Sequence, residues 1–418
     1  MQEKSLFKKI PYLFICVGIF LILFGGFQYV HRAPLETRIV DESAHVTQVQ
    51  RILNGKEIRV ERLTTIAGYH HVTAGIFVVF DKIFDFESPK TYHVRMIAVL
   101  YAATLFVLTV ILLVTLRMPH QKVLAIMTLP VLAPYLFIGY TETFSLLVVI
   151  GGIILYFQKQ YVLSSIVMFG SLFVRQDNIM WIVALILWSG VSYLAQSNVS
   201  NFPLRKFVRE SVGYIMSIVL FVLFVLINGG VAVGDRSRHP VSLSAENIFF
   251  FLILLALIFL PTIISYRREI CEVVQRKIYL SACIALGASS AYLLGFELTH
   301  SYNNNSRFLH NYLGKFFSEN TFGIAPGIIL MLISLAFLAA IIRGMKEYKA
   351  HLLVVYGVGL LSLALHPLME HRYYIIPMVL LIIFVTFKNR RWFYVQLAYM
   401  TALSATYYWI VFIKDWFK

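Results

Sequence analysis

The stretch PYLFICVGIFLILFGGFQYV, Pro11 to Val30, runs for 20 residues without a charged side chain. A helix rises 1.5 Å per residue, so this run reaches ~30 Å, the depth of a bilayer's hydrocarbon core. It follows Lys4, Lys8 and Lys9. A cleaved signal peptide has a shorter apolar core and a small-residue cleavage site, so the segment reads as a retained anchor. The remainder repeats the theme. Of 418 residues, 59% are hydrophobic and 14% charged, where a soluble domain carries about 25% charged residues. Cys16, Cys271 and Cys283 form neither a disulfide framework nor a metal motif.

Hydropathy places apolar spans near 11–30, 94–116, 123–139, 141–158, 160–174, 178–195, 211–228, 247–266, 278–297, 323–342, 350–366, 372–387 and 393–413. This predicts an all-α, multi-pass helical bundle of about 13 spans. A cytoplasmic N-terminus sorts the loops into two sets. The N-terminal tail, RMPHQK, QKQ, AQSNVSNFPLRKFVRE, YRREICEVVQRK, RGMKEYK and KNRR hold 19 of the 36 Lys and Arg but 5 of the 21 Asp and Glu. The positive-inside rule puts that set in the cytoplasm. The net charge of +15 is then loop bias, with no nucleic-acid partner required.

The opposite side collects the polar clusters DESAH, TET, RQDN, GDRSRH, HSYNNNSRFLHNY and HPLMEHRYY. Its longest loop, 31–93, contains HHVTAGIFVVFDKIF, which reads as a helix lying in the membrane interface. No linker or soluble insert interrupts the pattern, so residues 1–418 are expected to form a single polytopic domain.

Several of these clusters carry chemistry. Asp41, His45 and Gln48 share one face of a helix. Asp41 could cap that helix, or it could accept a proton from an attacking alcohol, with Glu42 or His45 tuning it. A metal held by Asp41, Glu42 and His45 is disfavoured, because adjacent residues diverge on a helix. Thr64 and Thr65 offer hydroxyls in what could be an ordinary polar turn before Gly68. Arg175 and Asp177 at a span end must pair with each other or face a polar cavity. Asp235, Arg236, Arg238 and His239 form either a solvated loop or a sugar or phosphate contact. His300 and Arg307 in one loop, and Glu370, His371 and Arg372 in another, bring cations to the side that carries Asp41. Converging arginines suit an anionic group, such as the phosphate leaving group of a lipid carrier.

In order along the chain, these motifs resemble those of the eukaryotic dolichyl-phosphate-glucose-dependent alpha-1,2-glucosyltransferases, which add the terminal glucose to the lipid-linked N-glycan precursor. The resemblance rests on Asp41, Glu42, His45, Gln48 and Gln50; on Thr64, Thr65 and Gly68; and on Arg175, Gln176, Asn178, Ile179 and Trp181. It continues through Asn228, Gly230, Gly234, Asp235, Ser237 and His239, and through Glu370, Arg372, Tyr373, Ile375, Ile376 and Pro377. His300, Arg307, His310 and Tyr312 approximate the family's histidine-rich loop. Ile66 and Ala67 stand where the family has prolines.

The resemblance implies a family C glycosyltransferase fold with its active face in the lumen of the endoplasmic reticulum, or outside the inner membrane in a bacterium. It implies a polyprenyl (dolichyl) phosphate glucose donor, a lipid-linked oligosaccharide acceptor and surrounding membrane lipids. Inversion at the anomeric carbon then needs one base and no cofactor, since the lipid-phosphate sugar is itself a substrate. Asp41 and Glu42 are the expected catalytic pair. His300, Arg307, His371 and Arg372 are expected at the donor phosphate. His45, Gln48, Thr64, Thr65, Arg175, Asn178, Asp235, Arg236, His239 and Glu370 are expected at the substrates. A transferase acting on proteins or surface lipids is the alternative. A transporter is disfavoured because no inverted repeat is visible and the polar motifs gather at one face. A regulator that has lost the base is disfavoured by the retained Asp41 and Glu42.

Overall fold

The computed structural model describes residues 12–32, 41–56, 63–85, 90–196, 202–234, 242–305, 308–345, 347–366 and 368–410. The regular secondary structure of these residues is helical, α-helices with short 3₁₀ segments, joined by turns and loops. In chain order the helices are α1 (Tyr12–Arg32), α2 (Glu42–Leu53), α3 (Gly68–Phe84), α4 (Thr91–Thr115), α5 (Lys122–Met127), α6 (Thr141–Phe157), α7 (Tyr161–Leu172), α8 (Ile179–Gln196) and α9 (Leu204–Asn228). They continue with α10 (Glu246–Ile258), α11 (Leu260–Ser265), α12 (Arg267–Arg276), α13 (Ile278–Gly295), α14 (Leu309–Glu319), α15 (Thr321–Gly344), α16 (Lys349–Ala364), α17 (Ile375–Phe384) and α18 (Arg390–Tyr408).

Among the described residues, six helical segments are long and apolar enough to cross a bilayer: Tyr12–His31, Thr91–Thr115, Gln176–Ala195, Leu204–Asn228, Ile278–Gly295 and Thr321–Gly344. Five more apolar helices are shorter, within 10–17 residues. The outward faces are apolar. Ile227 of α9 and Leu294 of α13 are 88% and 82% exposed, as expected where lipid rather than water is the solvent.

The apolar run 123–139 departs from expectation. Its helix, α5, ends at Met127, and the chain turns before a 3₁₀ segment at Ala133–Leu136. Pro130 and Pro134 are the cause, because each lacks an amide donor and its ring blocks the preceding turn. The consequence reaches α2, since this broken segment delivers Gly139 and Tyr140 to its N-terminal end.

The chain divides into two compact units, Met1–Val123 with Leu132–His239, and Leu124–Val131 with Pro240–Lys418. In the first, α1 packs on α4, which in turn packs on α6. Glycine allows that approach: a Cβ on Gly18 would meet the Phe106 ring at 2.2 Å, and one on Gly26 the Val99 side chain at 2.6 Å. Small residues drive such packing where lipid removes the hydrophobic incentive. Buried polar side chains bond internally, as in Ser164 Oγ to the Gly152 carbonyl at 2.7 Å. In the second unit α10 packs on α15 and α16, and α11 on α18. Gln396 of α18 fastens the α10–α11 break, accepting from Thr262 Oγ1 at 2.7 Å and donating to the Ile258 carbonyl at 2.7 Å.

Candidate active site

Helix α2 begins at the adjacent carboxylates, and the two meet different surroundings. Glu42 is 2% exposed. Its Oε1 accepts from Arg95 Nε at 2.9 Å and from the Gly139 amide at 2.9 Å, and its Oε2 accepts from Arg95 Nη2 at 2.7 Å. This bidentate pair satisfies both oxygens in a dry setting. It ties α2 to α4 and to the turn that follows the proline break. A buried pair of this kind binds its partners mutually, because removing either charge strands the other.

Asp41 occupies the N-cap position but makes no side-chain cap hydrogen bond, so the capping explanation for this residue lacks its defining contact. It is half-buried. Its amide donates to Tyr140 Oη at 3.0 Å, and its carbonyl accepts from the His45 amide at 3.0 Å. The backbone of Asp41 is thus held from two sides.

His45, one turn along, is 3% exposed, and Gln48 is 2% exposed. His45 Nδ1 lies 2.9 Å from His70 Nε2 of α3. Its ring also packs against Tyr140, with centroids 5.2 Å apart, and edge-on against Tyr69 at 5.9 Å. Burial holds the His70 imidazole down at about 3, with the neighbouring His71 adding to the effect. His70 is therefore neutral at physiological pH.

A second junction forms at Thr64, whose carbonyl accepts from Gln176 Nε2 at 3.0 Å and from the Val233 amide at 3.0 Å. Three of the sequence motifs thereby meet at one backbone group. Gly68 is required beside it. Its amide donates to the Phe173 carbonyl at 2.9 Å, and a Cβ there would stand 2.5 Å from that oxygen. The Thr65 hydroxyl is buried and has no hydrogen-bond partner. Arg175 pairs with Glu142 of α6 at 2.5 Å and with Asp177 at 2.9 Å, which joins the RQDN and TET clusters. Asn178, 1% exposed, bonds Ser145 Oγ and the Ser171 carbonyl at 2.9 and 3.1 Å.

In the second unit, two loops are bracketed by α10. Glu246, 2% exposed, accepts from Thr299 Oγ1 at 2.6 Å and from Asn303 Nδ2 at 2.7 Å. Asn247, fully buried, donates to the His366 and Leu368 carbonyls at 2.6 and 2.9 Å and accepts from Tyr374 Oη at 2.6 Å. Asn303 Oδ1 closes the bracket on the Met369 amide at 2.8 Å. The bracket sets the loops that carry His300 and the Glu370–Arg372 turn. Arg372 pairs with Glu370. His371 Nε2 lies 3.2 Å from Tyr407 Oη, and the His310 and His371 rings are 5.2 Å apart. Burial, and then the positive charge of Arg372, hold His310 down at about 3.

The expected site residues thus fall into three groups. Asp41, Glu42, His45, Gln48, Thr64, Thr65, Arg175 and Asn178 lie in the first unit, and His300, Glu370, His371 and Arg372 in the second. Asp235, Arg236, His239 and Arg307 lie outside the described residues. Sequence reasoning missed Arg95, Tyr140 and His70, which hold the α2 cluster, and Glu246, Asn247 and Asn303, which hold the loops. A carboxylate and an amide opening an otherwise apolar helix, ENIFFFLILLALI, were the available sign of the latter group.

Comparison with known proteins matches the model of the DIE2/ALG10 family over residues 35–201 and 192–383. The chain is similar to a Candida albicans protein named Dol-P-Glc:Glc(2)Man(9)GlcNAc(2)-PP-Dol alpha-1,2-glucosyltransferase, with 27% identity over 279 residues, 62% of this chain and 61% of the relative. A Debaryomyces hansenii protein of the same name is 23% identical over 412 residues, 89% of this chain and 87% of the relative. A human protein of that name is 24% identical over 277 residues, 55% of this chain and 58% of the relative.

Proposed function

Because the chain belongs to the DIE2/ALG10 family, we propose that it transfers glucose from dolichyl-phosphate glucose to Glc(2)Man(9)GlcNAc(2)-PP-Dol, forming an alpha-1,2 linkage. In this reading the protein is a membrane glycosyltransferase of the endoplasmic reticulum with its active face in the lumen. An acceptor hydroxyl attacks the anomeric carbon of the donor. The bond from that carbon to the phosphate oxygen breaks, the configuration inverts, and dolichyl phosphate leaves. The hydroxyl proton goes to a carboxylate. The donor sugar arrives already activated by its phosphate, so the step calls for no cofactor.

The observation that carries the assignment is the commitment of Glu42, the carboxylate next to Asp41. Glu42 commits both oxygens to Arg95 and the Gly139 amide, which fixes the start of α2 where Asp41 stands at the N-cap position. Asp41 is accordingly the base and Glu42 the anchor that positions it. A positioned base contributes roughly 10²–10⁴-fold in rate. Arg372 and Arg307, with His300 and His371, take the donor phosphate and stabilise charge on the leaving oxygen. Gln48, Thr64, Thr65, Asp235, Arg236 and His239 contact the sugars.

The test is transfer from labelled dolichyl-phosphate glucose by purified protein in micelles, offered lipid-linked acceptors with and without two terminal glucoses. Product from the diglucosylated acceptor alone is expected. Transfer to a protein or to a different lipid would instead support another polyprenyl-phosphate-sugar transferase. Sugar flux across vesicles without product would establish a transporter.

A further inference from the structure

His70 has no role in the reading above, yet it sits in the hydrogen-bonded core of the α2 cluster. It is 1% exposed. Its Nε2 lies 2.9 Å from His45 Nδ1, and its own Nδ1 is buried with no hydrogen-bond partner. One proton must lie between the two rings, which leaves two arrangements. If His45 donates from Nδ1, then His70 accepts at Nε2 and carries its proton on Nδ1, which creates a buried N–H with no acceptor. If His70 donates from Nε2, its unpartnered Nδ1 holds a lone pair. Orphaned buried N–H groups are rarer than under-used acceptors, so the second arrangement is favoured.

We infer that His70 is a positioning residue that fixes His45 in the Nε2–H tautomer, so that His45 serves as a hydrogen-bond donor to a substrate oxygen at the Asp41 site. The tautomer of one ring nitrogen is set by the bond the other makes. His45 shares a helix face with Asp41 by its four-residue spacing. Its ring orientation is fixed from several sides, by His70, Tyr69 and Tyr140. Tyr140 is the same residue that accepts the Asp41 amide. Donor and base are therefore held by one packed group. A neutral donor beside a carboxylate base suits a sugar hydroxyl, whose oxygen accepts from His45 while its proton leaves toward Asp41. The inference rests on the reading of Asp41 as base for a sugar hydroxyl.

Selective ¹⁵N-imidazole labelling in micelles reads the tautomer directly, through two-bond proton–nitrogen couplings, with His45→Gln assigning the signal. The parent protein is expected to carry the His45 proton on Nε2. His70→Leu keeps the bulk and removes the bond; His45 should become a tautomer mixture, and kcat for transfer should fall about 10- to 100-fold, as for loss of an orienting partner. His70→Gln retains an amide donor to His45 Nδ1, and should restore both the tautomer and most of the rate. A parental His45 proton on Nδ1 overturns the inference. So does a parental rate in His70→Leu, or an equal loss in the Leu and Gln variants with the tautomer unchanged. The parental measurement needs no variant to fold. A parent protein that transfers no glucose would defeat the proposed function while leaving the tautomer result readable.

Discussion

The two polar clusters are held by opposite means. Around α2, the fixed element is a carboxylate clamped by a guanidinium: Glu42 on Arg95, at 3% and 0% side-chain exposure. Around α10, the fixed elements are chiefly neutral amides, with Asn247 and Asn303 bonding loop backbone and Glu246 satisfied by a hydroxyl, an amide and a backbone N–H. There the charged pair, Glu370 with Arg372, lies at the loop's edge at 20% and 17% exposure. The clamp engages both oxygens of Glu42, the immediate neighbour of the proposed base Asp41. The carboxylate in the α10 bracket, Glu246, is met by donors from Thr299 and Asn303 rather than by a guanidinium. The two constructions differ, a charged clamp next to the proposed base and a hydrogen-bonded bracket next to the proposed phosphate ligands.

That contrast predicts unequal costs. Glu42→Gln removes the carboxylate that faces the fully buried Arg95 and should destabilise the protein by about 3–5 kcal/mol. Glu370→Gln acts on a partly solvated pair and should cost at most about 1 kcal/mol. Thermal unfolding in micelles compares them, and equal costs would erase the distinction between clamp and edge pair.

Next in size, Arg372→Ala should weaken donor use by about 1.5–3 kcal/mol, the worth of a charge-assisted bond. The effect should appear in the donor KM, with the melting midpoint retained. A changed midpoint with unchanged donor dependence would make Arg372 a structural anchor. Asn247→Ala should strand Tyr374 Oη and two loop carbonyls, at about 1–3 kcal/mol. It should also loosen the Glu370–Arg372 turn and so raise the donor KM, which no Asn178→Ala change in the first unit should do.

A separate effect is on pH dependence. His70 and His310 are both held down at about 3, against 6.5 for the free side chain. Between those values the unfolded chain binds protons that the folded protein refuses, so stability falls as pH drops from 6.5 toward 3. Above 6.5 these groups contribute no slope. Melting midpoints at pH 7.5, 6 and 5 should decline only below about 6.5, the unperturbed histidine value. A flat profile down to pH 5 would show that neither histidine is held neutral.

The helices were legible because apolar length is a local property of the chain. The run 94–116 became α4 (Thr91–Thr115), and 323–342 became α15 (Thr321–Gly344). The run 123–139 misled because its apolarity hid Pro130 and Pro134, which break the helix there. The site was legible as a set of motifs, and Thr64 shows why their order carried information, since three of them meet at its carbonyl. Asp41 and Glu42 could not be told apart from sequence. What separates them is Arg95, 53 residues away, and Gly139, 97 residues away. His70 was hidden for the same reason: adjacent histidines in one helix look alike until one is buried at 1% exposure against His45 and the other, His71, is exposed.

The central claim is that Asp41, and not Glu42, accepts the proton. Asp41→Asn keeps the shape of the side chain and removes its basicity. The measurement is kcat for glucose transfer by this variant, taken together with its dolichyl-phosphate-glucose affinity and melting midpoint. The account predicts a loss of roughly 10²–10⁴-fold in kcat, with donor affinity and midpoint retained. A variant that transfers glucose at near-parental rate would contradict it.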